Sequence, residues 1–322
     1  MVEKQLFSKK RYGNLDDVNT IRSMKELQQW RKERKRKVKD FTYRVPREPE
    51  PDIAYLHHNR TTTTITWIGH ASFLVQIGGL NIVIDPIWTT FGPFMRRLSA
   101  PGLTSDQLPP IDVVLISHGH YDHLQFSSLK QISGNPLYLV PAGLSRLLKR
   151  RGYQHCEELE WWQTRQIGDT RISFVPSQHW TRRTLWDTNS SHWGGWVLEG
   201  AGDTVYFAGD SGYFRGFREI GERFNIDVAL MPIGAYEPEW FMGPQHVTPE
   251  EAVQAFLDVR ASRFIPMHYG AFHLADDTPK EALDRLHSAW NRRELDTNRL
   301  LVLKLGEIYT AKIATELAGT SE

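Results

Sequence analysis

The sequence predicts an α/β protein in which two β-sheets pack face to face and helices cover both outer sides. From Thr61 onward, short apolar or alternating runs of strand length fall into two halves, and each half also contains segments typical of helices. At 322 residues with 40% hydrophobic side chains, the chain can bury one large core. We therefore divide it into a polar N-terminal extension with a basic helix, residues 1–60, and a main domain, residues 61–322.

The first half of the main domain is rich in strands. Residues 62–67 alternate and are β-branched, and Gly78-Gly79 separates two apolar runs as the turn of a hairpin does. A helix is expected over Ala142–Arg151, followed by strands near Trp161 and Ile172. The earlier strands expected in this half are Thr62–Trp67, Phe73–Ile77, Asn81–Asp85, Val113–Ile116 and Leu137–Val140.

The second half contains another hairpin, around Gly200-Ala201-Gly202, and two capped helices. Thr248 is followed three residues later by Glu251, which is the pattern of a capping box. The expected helices are Pro249–Val259 and Pro279–Trp290. The expected strands are Gly195–Glu199, Thr204–Ala208, Val228–Met231, Arg263–Pro266 and Leu300–Leu303.

A dense basic run lies within the N-terminal extension, in a helix expected over Val18–Val38 and followed by a loop rich in Pro and Glu, Arg44–Asp52. Two interpretations stay open: a solvated helix face, or docking on an anionic lipid surface, where each basic residue contributes about 1 kcal/mol. Met24, Leu27 and Trp30 recur at helical spacing and predict packing onto the main domain. The basic residues are Arg31, Lys32, Arg34, Lys35, Arg36, Lys37 and Lys39.

Composition narrows the class of protein. The net charge of +1 gives no bias toward nucleic acid, and no aromatic residues interrupt the basic run as single-strand binding favours. The single cysteine, Cys156, excludes an internal disulfide and fits a reducing compartment. Met1–Gln5 lacks the apolar core of a signal peptide, and no uncharged stretch approaches the ~20 residues of a membrane span. We expect a cytoplasmic protein with no nucleic-acid partner, and leave peripheral membrane contact and a homodimer open.

Four polar side chains follow an apolar run that begins at Val114. They lie in His118-Gly119-His120-Tyr121-Asp122-His123, the pattern H-x-H-x-D-H. Neutral imidazole nitrogens and carboxylate oxygens are good ligands for Zn²⁺ and similar cations. His118 and His120 share one side of an extended segment and can bind one ion together, whereas Asp122 and His123 face a second position beside it.

Three more potential ligands directly follow predicted strands: His179, Asp210 and His268. Loops at strand ends can aim side chains while the sheet stays rigid. Each residue alone would be interpreted as structural, but four such strand ends in one chain indicate a shared metal site. His70 also follows a strand, and both a structural role and hydrogen bonding to a ligand stay open.

The order H-x-H-x-D-H, His, Asp, His resembles that of the metallo-β-lactamase superfamily. Other stretches resemble the N-acylphosphatidylethanolamine-hydrolysing phospholipase D family within it. The resemblance runs from about Thr61 to about Gly270, more weakly to Ile313, and implies an αββα four-layer sandwich of the metallo-β-lactamase type with a catalytic domain over 61–322. The stretches that resemble the phospholipase D family are Thr66–Phe73, Leu108–Asp112, Pro232–Pro238 and Gln245–Val247.

The cofactors expected at this site are two divalent metal ions, with Zn²⁺ first and Mn or Fe also compatible with the ligands. Two ions about 3.5–4 Å apart hold a bridging hydroxide and polarise a phosphoryl oxygen. Asp122 is expected to orient that hydroxide, and Asp210 to bridge the ions. One ion is assigned to His118, His120 and His179, and the other to Asp122, His123 and His268.

Three residues match pocket-lining positions of the family: Tyr121, Gln245 and His246. His246 is the candidate donor to the leaving oxygen or contact to a phosphate. Arg96-Arg97 and Arg182-Arg183 are either phosphate contacts or solvated. The segment Trp186–Trp196, with three Trp residues, either packs in the core, which we favour, or lines an acyl channel.

The function expected from the resemblance is metal-dependent hydrolysis, most specifically a phospholipase D-type phosphodiesterase acting on N-acylphosphatidylethanolamine-like lipids. The alternatives on the same dinuclear site are a lactonase, a thioesterase or a non-lipid phosphodiesterase. A metal-binding protein without turnover is disfavoured, because all seven ligand positions are filled. The ligands alone do not separate the hydrolases, since similar folds change substrate through loops.

Overall fold

The computed structural model describes residues 10–90 and 97–311. Met1–Gln5, Arg96 and Ile313, which enter the sequence predictions, lie outside the described residues. The strands in this part of the chain are β1 Thr64–Gly69, β2 Ser72–Ile77, β3 Leu80–Ile84, β4 Ile111–Leu115, β5 Gly134–Pro141, β6 Cys156–Leu159, β7 Thr164–Ile167, β8 Thr170–Val175, β9 Gly195–Gly200, β10 Asp203–Phe207, β11 Val228–Pro232, β12 Arg263–Met267 and β13 Ile308–Thr310.

These strands form two mixed sheets. The first has seven strands in the order β13-β1-β2-β3-β4-β5-β6, and the second has six in the order β12-β11-β10-β9-β8-β7. In the first sheet β1 is antiparallel to β2, β2 to β3, and β3 is parallel to β4. In the second, β8 is antiparallel to β9, β9 to β10, and β10, β11 and β12 are parallel. Therefore β1, β3 and β4 end at one edge of the first sheet, and β8, β10 and β12 end at one edge of the second.

One hydrophobic core lies between the sheets. Phe73 of the first sheet meets Phe207 of the second edge to face, with ring centroids 6.4 Å apart. Trp193 and Trp196 are fully buried, and Trp196 contacts Phe174. The Trp-rich segment therefore supplies core packing, as favoured from the sequence, except that Trp186 is 82% exposed.

Helices cover both outer faces, which confirms the predicted αββα sandwich. α3 (Phe126–Leu129) and α4 (Ser145–Arg150) contribute Leu129 and Leu148 to an apolar cluster on the outer side of the first sheet. α7 (Pro249–Asp258) and α8 (Pro279–Arg292) pack against each other beside the second sheet, where Phe256 contacts Trp290. The helices are α1 Met24–Arg34, α2 Ile53–His58, α3 Phe126–Leu129, α4 Ser145–Arg150, α5 Gly216–Arg223, α6 Glu239–Met242, α7 Pro249–Asp258 and α8 Pro279–Arg292.

Two element predictions are wrong. Residues 300–303 form no strand, because only Leu300 makes a bridge, to Phe264 of β12 at the edge of the second sheet. The edge of the first sheet is formed by β13, which was not predicted. The N-terminal helix is shorter than Val18–Val38, since a capping box of Ser23 and Glu26 begins it at Met24. The short helices α2, α3, α5 and α6 also escaped prediction, because four to eight residues carry little periodicity.

Several residues of the basic run bind acidic side chains of the main domain. Arg34 and Lys37 contact the buried Asp276 at 3.3 and 3.0 Å. Lys39 contacts Glu237 and Glu281 at 3.0 and 2.8 Å. These three cations therefore hold α1 and the following turn onto the domain, while the other four basic residues stay exposed.

Candidate metal centre

The loop 118–123 leaves the end of β4 and is shaped by close packing. Gly119 has no room for a side chain, because an added Cβ would lie 2.7 Å from Oγ1 of Thr181. Arg183 donates from Nη1 to the carbonyl oxygens of Gly119 at 2.7 Å and Leu124 at 2.8 Å. Arg183 thus supports the loop backbone, and this role is neither the phosphate contact nor the solvated position that the sequence left open.

The other site residues also follow strand ends, and several have unusual backbone angles. His70, Asp85 and His268 have φ values of +57°, +42° and +62°, and Gly209, directly before Asp210, has φ +66°. Non-glycine residues in this left-handed region are strained, and such strain concentrates where surrounding structure must hold a functional geometry. The tight turns aim side chains from both sheets at one point.

His118, His120 and His179 come together as the first predicted set. Nδ1 of His120 lies 2.9 Å from Nε2 of His118 and 3.2 Å from Nε2 of His179. His179 donates from Nδ1 to the Gln245 carbonyl oxygen at 3.0 Å, which directs its Nε2 toward the other two rings. Three imidazole nitrogens therefore face a common position.

Asp122, His123 and His268 come together as the second predicted set. Oδ2 of Asp122 lies 3.4 Å from Nε2 of His123 and 3.7 Å from Nε2 of His268. His70 joins this group, and its Nε2 donates to Oδ2 of Asp122 at 3.0 Å. The structure thus favours the hydrogen-bonding role for His70 that the sequence left open.

Asp210 lies between the two sets. Its Oδ2 is 3.2 Å from Nε2 of His123 and 3.9 Å from Nε2 of both His118 and His179, while its Oδ1 is 3.1 Å from Nε2 of His268. One carboxylate can therefore reach ligands of both sets, which is the position that the predicted bridging role requires.

The chemistry of these residues fits a divalent cation. Nε2 of His268 and Oδ1 of Asp210 are buried and 3.1 Å apart, yet neither makes a hydrogen bond of acceptable geometry, and Nε2 of His123 is buried without one as well. Buried polar atoms are normally hydrogen-bonded. Atoms that converge on one point instead of on each other suit an ion held between them.

Burial keeps the first set neutral. It lowers the pKa of His179 to about 3 and that of His120 to about 4, and it holds the pKa of His118 well below its usual range. All three side chains are then unprotonated at pH 7. Unprotonated imidazole is the form that binds a metal ion.

The second set attracts positive charge. Burial opposes protonation of His268, but the carboxylates of Asp210 and Asp122 raise its pKa to about 9. The same two carboxylates and Asp85 raise the pKa of His123 well above its usual range, again against burial. Without a metal ion, these histidines therefore hold protons where a cation would otherwise balance the carboxylates.

Asp85 supports the second set and escaped the sequence prediction of the site. Its Oδ2 accepts a hydrogen bond from Nδ1 of His123 at 2.7 Å, and its Oδ1 accepts one from the Ser117 amide at 2.7 Å. A carboxylate behind a ligating imidazole sets the ring orientation and its tautomer. The available signal was that Asp85 follows an apolar strand, as the ligands do.

A cavity of about 300 Å³ opens onto these residues. Gln245 and His246 line it, as predicted, and Nδ1 of His246 lies 4.0 Å from Oδ2 of Asp210. Tyr121 does not belong to the lining. Its hydroxyl donates to the Arg183 carbonyl oxygen, and the Arg183 guanidinium lies over its ring, with Cζ 4.1 Å from the ring centroid. The prediction of a pocket position for Tyr121 is thus not met, because these contacts hold it aside.

The cavity has two unlike walls. One is the metal-ligand cluster, and the other is apolar and comes partly from the N-terminal extension. Arg182, stacked on Trp180, adds a positive charge at this cavity. The apolar wall consists of Ile21, Leu27, Trp30, Ala235, Phe241, Met242 and Leu274.

Comparison with known proteins places this arrangement in a family. A family model described as "Beta-lactamase superfamily domain" matches residues 80–269. The N-acyl-phosphatidylethanolamine-hydrolyzing phospholipase D 1 of Caenorhabditis elegans is 34% identical over 299 residues, which is 86% of this chain and 82% of the relative. The chain belongs to the metallo-β-lactamase superfamily, in the family of this nematode phospholipase. It is accordingly a metal-dependent hydrolase.

Two further comparisons agree with this membership. A Saccharomyces cerevisiae protein named N-acyl-phosphatidylethanolamine-hydrolyzing phospholipase D, mitochondrial, is 35% identical over 240 residues, which cover 69% of this chain and 51% of the yeast protein. The chain therefore spans about half the length of that relative. The solved structure of a metallo hydrolase from the archaeon Ignicoccus hospitalis matches with a TM-score of 0.59 and 25% identity, over 78% of this chain and 98% of that one.

In the part of the chain that the structure describes, every helix is too short or too polar to cross a bilayer.

Proposed function

We propose that this superfamily member is a phosphodiesterase of the phospholipase D type that hydrolyses N-acylphosphatidylethanolamine-like lipids at a dinuclear metal site, with zinc as the metal. The observation that carries the proposal is the two-walled cavity. A lipid phosphodiester has an anionic group beside long apolar chains, and the cavity is lined both by the metal-ligand cluster with Arg182 and by an apolar cluster. The names of the nematode and yeast relatives support the same substrate class.

The residues of the chain have distinct roles in this proposal. Two bound divalent ions would supply an activated water and neutralise charge on the phosphoryl oxygens. The carboxylate of Asp122 belongs to the second ligand set and accepts a hydrogen bond from His70. In this proposal it also accepts a proton from the nucleophile. His246 lines the cavity and belongs to neither predicted ligand set, although its ring nitrogen lies close to His179 and Asp210. In this proposal it contacts the phosphate or the leaving oxygen.

The pKa of His246 bears on that role. Burial lowers it to about 3, so the ring is neutral at pH 7 and presents one N–H donor. A neutral donor can hydrogen-bond a phosphoryl oxygen without competing with the metal ions for the carboxylate of Asp210. Gln245, its neighbour in the lining, offers a further amide toward the same space.

Hydrolysis of a substrate panel tests the proposal. The purified protein is assayed with N-acylphosphatidylethanolamine in mixed micelles, bis(p-nitrophenyl) phosphate, a lactone and a thioester, with metal content measured on the same preparation. We expect the lipid to have the highest kcat/KM and to yield phosphatidic acid and an N-acylethanolamine. Turnover of the lactone or thioester without either phosphodiester would contradict the proposal.

Two variants of α1 test the apolar wall. Leu27 lines the cavity, whereas Met24 lies on the same helix, is 66% exposed and does not. Burying a leucine-sized group is worth about 1.5–3 kcal/mol. Leu27→Gln should therefore lower kcat/KM for the lipid about tenfold or more and leave bis(p-nitrophenyl) phosphate unaffected. Met24→Gln should change neither rate. Equal effects of both variants on the lipid would contradict a contribution of the apolar wall to lipid binding.

A further inference from the structure

The N-terminal extension lines part of the cavity, and it also makes hydrogen bonds to a predicted metal ligand, His179. We call residues 10–34 the strap. It crosses the loop that carries His179 and then α6, the helix that precedes His246. At α6, Arg22 donates to the carbonyl oxygens of Phe241 at 2.6 Å and Trp240 at 3.0 Å. The family match over residues 80–269 does not include the strap.

Asn14 contacts the backbone of His179 through both the oxygen and the nitrogen of its side-chain amide. Its Oδ1 accepts a hydrogen bond from the His179 backbone N–H at 3.0 Å, and its Nδ2 donates to the His179 carbonyl oxygen at 3.1 Å. The same side chain accepts from Nε1 of the buried Trp193 at 3.1 Å and donates to the Val18 carbonyl oxygen at 2.9 Å. Four hydrogen bonds thus fix the amide of Asn14, and two of them join it to the backbone of His179.

A second strap residue contacts the same position. The buried hydroxyl of Thr20 donates to the His179 carbonyl oxygen at 3.0 Å. These contacts act on the backbone of His179, whereas the ring is oriented from the other side by the Gln245 carbonyl oxygen. The position of Nε2 in the first ligand set therefore depends on two separate elements, one of which is the strap.

We propose that Asn14 is a positioning residue for the predicted metal ligand His179, so that the strap is part of the metal centre. Residue 179 lies beyond the end of β8 and has no strand neighbour to hold its N–H and carbonyl groups. Asn14 takes the place of such a neighbour. Loss of the groups that orient a ligand commonly lowers metal affinity 10–100-fold. The inference concerns the metal centre and does not depend on which substrate the site accepts.

The test measures metal retention against a chelator in the full-length protein. Zinc-loaded wild type and variants are titrated with a competing chelator, and thermal unfolding of the metal-free proteins is recorded in parallel. Asn14→Ala should lose the more weakly held zinc at a chelator concentration at least tenfold lower than wild type does. Thr20→Val, which removes one contact, should have a smaller effect in the same direction.

Asp16→Ala is the matched control. Asp16 is an exposed strap residue that pairs with Arg215 at 2.7 Å and has no contact with His179. This variant loosens the strap without touching the ligand and should retain zinc within about twofold of wild type. If Asp16→Ala releases zinc as readily as Asn14→Ala, the strap acts only through general stability and the proposal is overturned.

A double variant separates positioning from folding. If Asn14 acts through His179, then Asn14→Ala should add nothing to the zinc release of His179→Ala, because the orienting contact has no ligand left to orient. Additive losses, or wild-type zinc retention by Asn14→Ala, would each refute the role. A drop in the unfolding temperature of metal-free Asn14→Ala that accounts for its zinc loss would do the same.

Discussion

Nε2 of His70 donates a hydrogen bond to Oδ2 of Asp122 across 3.0 Å, and the His70 ring lies against that of His268 with centroids 4.1 Å apart. His70 therefore touches two members of the second ligand set while belonging to a different strand end. The contact is made by the same carboxylate oxygen of Asp122 that lies near Nε2 of His123 and of His268. Residues that orient ligands in this way determine how tightly an ion is held.

Replacing His70 should weaken the metal centre without removing a ligand. His70→Phe keeps a ring against His268 but loses the N–H donated to Asp122, so we expect zinc affinity to fall about 10–100-fold. Chelator competition measures the change, and His155→Phe at an exposed site is the control. Unchanged zinc affinity would show that Asp122 needs no such support.

Metal content tests the bridging position of Asp210. The purified protein should carry close to two equivalents of a transition metal, mostly zinc, by elemental analysis. Asp210→Ala removes the carboxylate that reaches ligands of both sets and should lower the content to one equivalent or less. A well-folded wild type that neither carries nor takes up metal would contradict the assignment of all seven ligands.

Metal uptake should release protons. In the metal-free protein the pKa of His268 is raised to about 9 and that of His123 is raised well above its usual range, so both rings are protonated at pH 7. A cation must displace these protons, so affinity falls as the pH decreases below about 9. Calorimetric titration in buffers of different ionisation enthalpy should show roughly two protons released per protein at pH 7 and fewer above pH 9. Uptake without proton release would refute this prediction.

His246 should matter for turnover and not for metal binding. It lines the cavity and belongs to neither predicted ligand set, so His246→Ala should lower kcat by about 10²–10³-fold, the range for loss of a hydrogen-bond donor to developing charge. Zinc content should stay at the wild-type value. Loss of zinc would instead make His246 a ligand, which its 4.0 Å distance from Asp210 leaves open to test.

The exposed part of the basic run should bind anionic membranes. Arg34, Lys37 and Lys39 are engaged by acidic residues of the domain, so a membrane contact must use the other four cations. Neutralising those four should reduce sedimentation with anionic vesicles at low salt, and binding should weaken as salt shortens the Debye length to about 8 Å. The four exposed residues are Arg31, Lys32, Lys35 and Arg36.

Two outcomes would contradict membrane docking by this surface. Equal sedimentation of wild type with neutral and anionic vesicles would show that charge does not drive binding. No sedimentation with either would leave the four side chains as a solvated helix face. Hydrolysis of a soluble phosphodiester by the neutralised variant should stay unchanged, because none of the four lines the cavity.

Local pattern was sufficient for the sandwich and for the ligand candidates. Short apolar runs bounded by turn residues marked most strands, and the Thr248–Glu251 capping box marked α7. The ligand candidates were visible because each follows a predicted strand. Their meeting was not, since His118 follows β4 of the first sheet and His268, 150 positions later in the chain, follows β12 of the second. Edge strand β13 was missed because three residues carry too little alternation to be distinguished from a loop.

Contacts between distant segments were decided by the tertiary structure alone. The amide of Asn14 is 165 positions from the backbone of His179, and nothing in the local sequence of either residue indicates the other. The basic run forms one charge cluster in the sequence, yet folding divides it into cations that bind acidic residues of the main domain and cations that face solvent. Composition and spacing report which side chains are available, whereas pairing depends on which segments the closed core brings within hydrogen-bond distance.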